Sequence, residues 1–163
     1  MINNSTILIC PLFRDLDSAQ LARILAIGET KGYRREQVIF REGDLGDGLF
    51  IIISGTVRIS RHTSTGEEAL AILEPNAFFG EMALIDYHPR AADAVANEDS
   101  EIFFIPLAEL RTQLEASPGL AIKVLYALCE VLTQRLRVSN DRFMNVFTLA
   151  QWSTGSTDLI PLP

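Results

Sequence analysis

The sequence predicts a β-sheet domain, closed or sandwiched, with a short helix before it and a long helix after it. Three observations carry this. Between residues 37 and 105, short apolar runs recur at roughly ten-residue spacing with turn signals between them. Ahead of that region Leu21, Ile24 and Leu25 fall on one helical face. Behind it, nothing from Gly119 onward breaks a helical pattern until Ser153-Thr154-Gly155.

The elements follow in order. Asp17 with Gln20 reads as a capping box opening the first helix, and Gly28 and Gly32 end it. Gln37–Phe40 is a strand. Glu42-Gly43-Asp44 and Gly46-Asp47-Gly48 are turns rich in residues that tolerate positive φ. Leu49–Ser54 is strongly apolar, hence a buried strand, and Gly55 breaks it. Val57–His62 alternates apolar and polar, Thr65-Gly66 turns, and Glu68–Leu73 and Asp99–Ile105 are further strands. Phe78 and Phe79 belong to another apolar strand. Pro106 stands where a helix starts, with Leu107, Leu110 and Leu114 at helical spacing. Ser117-Pro118 starts the last helix, about 50 Å long at 1.5 Å per residue. Along it Leu125, Cys129, Leu132, Leu136, Ser139, Phe143, Val146 and Ala150 recur at alternating four- and three-residue steps, a heptad seam that points to a helix-to-helix homodimer. Ser156–Pro163 reads as a loose end.

Composition narrows the function. The 163 residues suit one domain with a substantial core, and 48% hydrophobic against 21% charged residues excludes a disordered chain. With 14 basic residues against 21 acidic ones and a net charge of -7, the chain is ill suited to bind nucleic acid directly. Arg135, Arg137 and Arg142 read as a solvated helix face. No signal peptide and no apolar run long enough for a membrane span is found, so a cytoplasmic setting is expected. Cys10 and Cys129 read as free thiols, Cys129 as a small core residue. The two histidines, His62 and His88, lie far apart and read as exposed polar residues. They make no metal cluster, and no nucleophile set accompanies them, so no catalysis and no cofactor are expected.

The stretch Phe78-Phe79-Gly80-Glu81-Met82-Ala83-Leu84-Ile85-Asp86-Tyr87-His88-Pro89-Arg90-Ala91-Ala92 carries the chemistry. Gly80 lets a ligand or a backbone approach closely. A helix turn opening after it presents free N–H groups to an anion. Arg90 offers a planar fork of donors that fits two phosphate oxygens. Ala91 and Ala92 are small enough for their backbone to lie against a ligand. Glu81 supplies an acceptor suited to a sugar hydroxyl. The reading is capture of a small phosphorylated ligand.

Phe-Gly-Glu-Met-Ala-Leu-Ile, four further residues and Arg-Ala-Ala resemble the phosphate-binding cassette of cyclic-nucleotide-binding domains, as found in the catabolite activator family, protein kinase A regulatory subunits and cyclic-nucleotide-gated channels. Pro11-Leu12-Phe13, Phe40-Arg41-Glu42-Gly43-Asp44, Gly48-Leu49-Phe50-Ile51-Ile52 and Ser54-Gly55-Thr56-Val57 are similar to the same family, so the resemblance runs from about Pro11 to about Asn140. It implies an eight-stranded jelly-roll barrel with flanking helices. Arg90 is then expected on the cyclic phosphate and Glu81 on the ribose 2′-hydroxyl. Gly80, Met82, Ala83, Ala91 and Ala92 are expected to line the ligand, and Ser139 and Asn140 to face the base. The ligand expected is cAMP, with cGMP next, because Ala91 stands where cGMP-selective relatives tend to carry threonine. Signalling is expected through the long helix to a twin subunit or to an effector protein. A ligand-independent interaction module on the same fold is the alternative.

Two departures from the family pattern stand out. Asp93 and Ala94 follow Arg-Ala-Ala where the family often has threonine or serine and then valine, and strand alternation is expected to turn Asp93 to solvent. After the long helix only a short tail follows, too short for the helix-turn-helix domain of the activator family. The expected layout is a binding domain over residues 1–152, with its barrel at about 33–106 and long helix at about 118–151, and a flexible tail over 153–163.

Overall fold

Eight strands form two four-stranded antiparallel sheets in the computed structural model, which describes residues 7 and 9–154. In chain order the strands are β1 (Glu29–Tyr33), β2 (Val38–Phe40), β3 (Gly48–Ser54), β4 (Val57–Thr63), β5 (Gly66–Leu73), β6 (Phe78–Phe79), β7 (Asp93–Ala96) and β8 (Ser100–Pro106). One sheet has the order β1-β8-β3-β6 and the other β2-β7-β4-β5. The helices are α1 (Ser18–Ile27), α2 (Met82–Ile85), α3 (Leu107–Ala116) and α4 (Pro118–Thr154), with a 3-10 turn at Pro11–Phe13.

The closed eight-stranded barrel expected from the family resemblance does not form. No ladder joins the two sheets among the described residues, so each keeps two edges. The strands that would have to bridge them are too short. β6 has two residues before Gly80 turns the chain away with φ +77, and β2 has three. The sheets meet through side chains instead, as in a sandwich. Phe50, Ile52, Phe79, Ile102 and Phe104 of the first sheet share one core with Val57 and Ala94 of the second.

The apolar run of β3 is explained by burial on both faces. Phe50 pairs with Phe104 and Ile52 with Ile102, all in the inter-sheet core. Leu49 pairs with Ile105 and Ile51 with Phe103, and this alternate set is also buried. α1 and α3 pack on each other and on β8. Each large aliphatic or aromatic side chain buried in this way contributes about 1.5–3 kcal/mol.

Asp17 Oδ1 accepts from the Gln20 amide at 2.8 Å and Gln20 Oε1 from the Asp17 amide at 3.2 Å, the reciprocal capping box that the sequence predicts. Gly28 caps the end of α1, whereas Gly32 lies inside β1 rather than at a helix end. Pro106 is the residue before α3, and Pro118 is the first of α4. The cysteines are placed opposite to expectation. Cys10 is the buried one, its thiol pushed up to about 12 by burial, and Cys129 is exposed.

The chain divides into two compact units at Ala127/Leu128, and α4 runs from the first into the second. Within the first unit Leu120, Val124 and Ala127 are buried on α4. Within the second unit Leu136, Phe143, Val146 and Leu149 are exposed, and Phe143 stacks on Phe147 with ring centres 6.2 Å apart.

Candidate functional site

The site is built around Arg90, which follows Pro89 and precedes β7. Its backbone is held first. The Arg90 amide donates to Asp44 O at 2.8 Å, and its carbonyl accepts from the Gly43 amide at 2.9 Å. The side chain runs inward and the residue is only 5% exposed. Nη1 donates to Gly80 O at 2.9 Å, and Nη2 donates to Gly48 O at 2.8 Å and to Asp47 Oδ1 at 3.1 Å. The guanidinium lies 4.2 Å from the centre of the Phe40 ring and 5.5 Å from that of Phe50, within the range of cation–π attraction. Burial holds its pKa below the ordinary arginine value, while the Asp47 and Glu81 carboxylates pull it back up. Nε is buried with no hydrogen-bond partner.

Backbone geometry around this group follows from glycine. Gly80 has φ +77, and a Cβ there would stand 2.7 Å from Arg90 Nη1 and 3.1 Å from Gly48 O. A Cβ on Gly46 would meet the Ala83 Cβ at 2.1 Å, so the turn before β3 lies directly against the cassette helix.

That helix, α2, is four residues long with Glu81 at its N-cap position. Glu81 is 5% exposed, Ala83 and Leu84 are buried, and Met82 and Ile85 face outward. Its C-terminal end is clamped from α3. Arg111 Nη2 donates to Ala83 O, lies 3.5 Å from Leu84 O, and the guanidinium sits 3.9 Å over the Tyr87 ring. A cation at a helix C-terminus also complements the carbonyl dipoles there. Tyr87 itself has φ +57, in a turn where the His88 amide donates to Asp86 Oδ1.

The structure therefore brings Gly80, Glu81, Ala83 and Arg90 into one neighbourhood. Met82 and Ala91 are exposed beside it and Ala92 is half-buried. Ser139 and Asn140 belong to the second unit, where both are exposed on α4. Two further side chains hold this neighbourhood together, and neither stands out in the sequence. Asp47 reads from sequence as part of a turn, and its 73% exposed side chain holds the 3% exposed Arg90 side chain. Arg111 occupies an ordinary polar position on an amphipathic helix, and nothing local in the sequence singles it out.

Asp93 departs from expectation. It is 5% exposed, not turned to solvent. All four residues of β7 are buried, so both faces of the strand are covered and alternation turns none of its side chains to solvent. Asp93 Oδ1 accepts from the Glu42 amide at 2.6 Å, and Oδ2 lies 3.5 Å from His62 Nε2 and 3.8 Å from Arg41 Nη1.

Among the described residues no group of three or more His, Cys, Asp or Glu side chains is placed to hold a metal ion, and no helix is long and apolar enough to cross a membrane.

The family model for the cyclic nucleotide-binding domain matches residues 30–117. The chain is 35% identical over 128 residues to the cyclic AMP receptor protein of Thermus thermophilus, covering 78% of this chain and 57% of that protein. It resembles the N-terminal domain of a transcriptional regulator from Streptomyces coelicolor with TM-score 0.69 and 31% identity, covering 85% of this chain and 94% of that one. Against the Thermus thermophilus catabolite activator protein structure the TM-score is 0.71 at 33% identity, covering 85% of this chain and 63% of that one. The chain thus spans less than two thirds of the length of the receptor it matches. The matched segment is a binding domain rather than a catalytic one.

Proposed function

Since the chain belongs to the family of cyclic nucleotide-binding domains, we propose that it is a cytoplasmic sensor that binds a cyclic nucleotide, cAMP before cGMP, and reports it through α4. The observation that carries this is Arg90: a buried guanidinium at the end of the cassette, stacked on Phe40, with Nε lacking an acceptor. A buried donor left unpaired costs about 1–3 kcal/mol, and a phosphate oxygen would satisfy it. Of the three acceptors now on the guanidinium, two are backbone carbonyls and the third is the exposed Asp47 side chain. Asp47 is the acceptor that an incoming cyclic phosphate would displace.

In this reading Glu81 accepts from the ribose 2′-hydroxyl, and Gly80, Met82, Ala83, Ala91 and Ala92 line the sugar and phosphate. Ser139 and Asn140 address the base. Calorimetric titration with cAMP, cGMP and cyclic dinucleotides tests it, and cAMP is expected to bind tightest. Absence of heat with every one of them would leave the ligand-independent interaction module as the surviving reading.

The exposed apolar seam residues of the second unit, Leu136, Phe143 and Val146, support dimerisation helix to helix. Light scattering behind size exclusion is expected to give twice the mass of the chain. A monomer at high concentration would rule the dimer out.

A further inference from the structure

We infer that Asp93 is a positioning residue for Arg90, its carboxylate bracing the turn whose backbone grips that arginine. This rests on the reading of Arg90 as the phosphate ligand. An aspartate three residues beyond a phosphate-binding arginine would be expected to repel an anion. The surroundings of Asp93 assign it a different task.

The turn Arg41–Asp44 closes on itself, with the Asp44 amide on Arg41 O at 3.1 Å, the Arg41 amide on Asp44 Oδ2 at 2.8 Å, and Gly43 at φ +87. Three successive residues of it reach the segment 90–93. The Glu42 amide donates to Asp93 Oδ1 at 2.6 Å, the Gly43 amide to Arg90 O at 2.9 Å, and Asp44 O accepts from the Arg90 amide at 2.8 Å. Asp47 at the end of the same connection and Gly48 O at the start of β3 hold the guanidinium. Arg90 is thus mounted at both its backbone and its head on one β2–β3 connection, and Asp93 is the side chain that ties the near end of that connection to β7.

The charge of Asp93 is met locally. Arg41 Nη1 stands 3.8 Å and His62 Nε2 3.5 Å from Oδ2. The Glu42 carboxylate does not compete for the turn, because Arg61 binds it, with Nε 3.2 Å from Oε2. The requirement is therefore for a short acceptor at this position rather than for a negative charge. Asparagine keeps the acceptor, whereas alanine removes it.

Two measurements on Asp93→Ala and Asp93→Asn decide the matter. In the ligand-free protein, amide hydrogen exchange at Glu42, Gly43 and Arg90 is expected to speed up about tenfold in Asp93→Ala and to stay near native in Asp93→Asn. A protection loss spread evenly over both sheets, or none at these amides, would overturn the brace. Under calorimetry with cAMP, Asp93→Ala is expected to bind about tenfold more weakly and Asp93→Asn within about threefold of native. Tighter binding by both variants would mean that Asp93 acts as a repelling charge instead. If the native chain bound no cyclic nucleotide, the functional reading would fall, and the exchange measurement alone would still decide whether Asp93 positions Arg90.

Discussion

Arg90→Ala is expected to weaken cyclic-nucleotide binding by at least about a hundredfold, because two charge-assisted hydrogen bonds to the phosphate are lost at about 1.5–3 kcal/mol each, and Arg90→Lys by about ten- to a hundredfold, because one of the two is lost. Lysine keeps the charge but not the fork. In the ligand-free protein Nη1 and Nη2 already serve Gly80 O and Gly48 O while the guanidinium lies over Phe40. A single ammonium cannot meet both carbonyls, remain stacked and also present a second donor to a phosphate. Calorimetry at fixed ionic strength reads the loss, and thermal melts of the same variants separate it from unfolding. Native-like affinity in Arg90→Lys would show that the guanidinium is not the phosphate ligand.

Phe50→Ala is expected to lower stability by about 3–5 kcal/mol, the range for deleting a buried aromatic ring. Phe50 is buried and stacks on Phe79 with ring centres 5.1 Å apart. It also meets Phe104 at 5.2 Å and Phe40 at 5.5 Å. No neighbour can close the void without leaving another contact, because these rings belong to both sheets. At this chain length the melting temperature should fall by roughly 10 °C. Phe50→Leu retains most of the volume and should cost about half as much or less. Urea unfolding checks both, and a loss under about 1 kcal/mol for the alanine variant would contradict the packing. Ligand binding should weaken as well, since Phe50 is one of the two rings facing the Arg90 guanidinium.

Where information lay in consecutive residues, the sequence was enough. The capping box at Asp17 and Gln20, the breaks at Gly28 and Gly55, the β3 run, the helix start at Pro118 and the helix turn after Gly80 were all legible in this way. β1 and β7 were not. Glu29–Tyr33 is polar and mostly exposed, and only its ladder with β8 makes it a strand. Asp93–Ala96 has a composition poorly suited to strands, and pairing on both sides by β2 and β4 overrides it.

By itself, then, the sequence determined that this chain is a β domain flanked by helices and where the segment from Phe78 to Ala92 with its arginine lies. Those are properties of periodicity and order along the chain. Tertiary structure alone decided that the sheets remain two, because the edges β2 and β6 are too short to bridge them. It also decided the fate of the two acids beside the arginine. Asp47 meets Arg90 across 43 positions, and Asp93 meets the Glu42 amide across 51. A carboxylate's partners depend on which backbone and which cations the fold brings within 4 Å of it, and at such separations no local pattern records them.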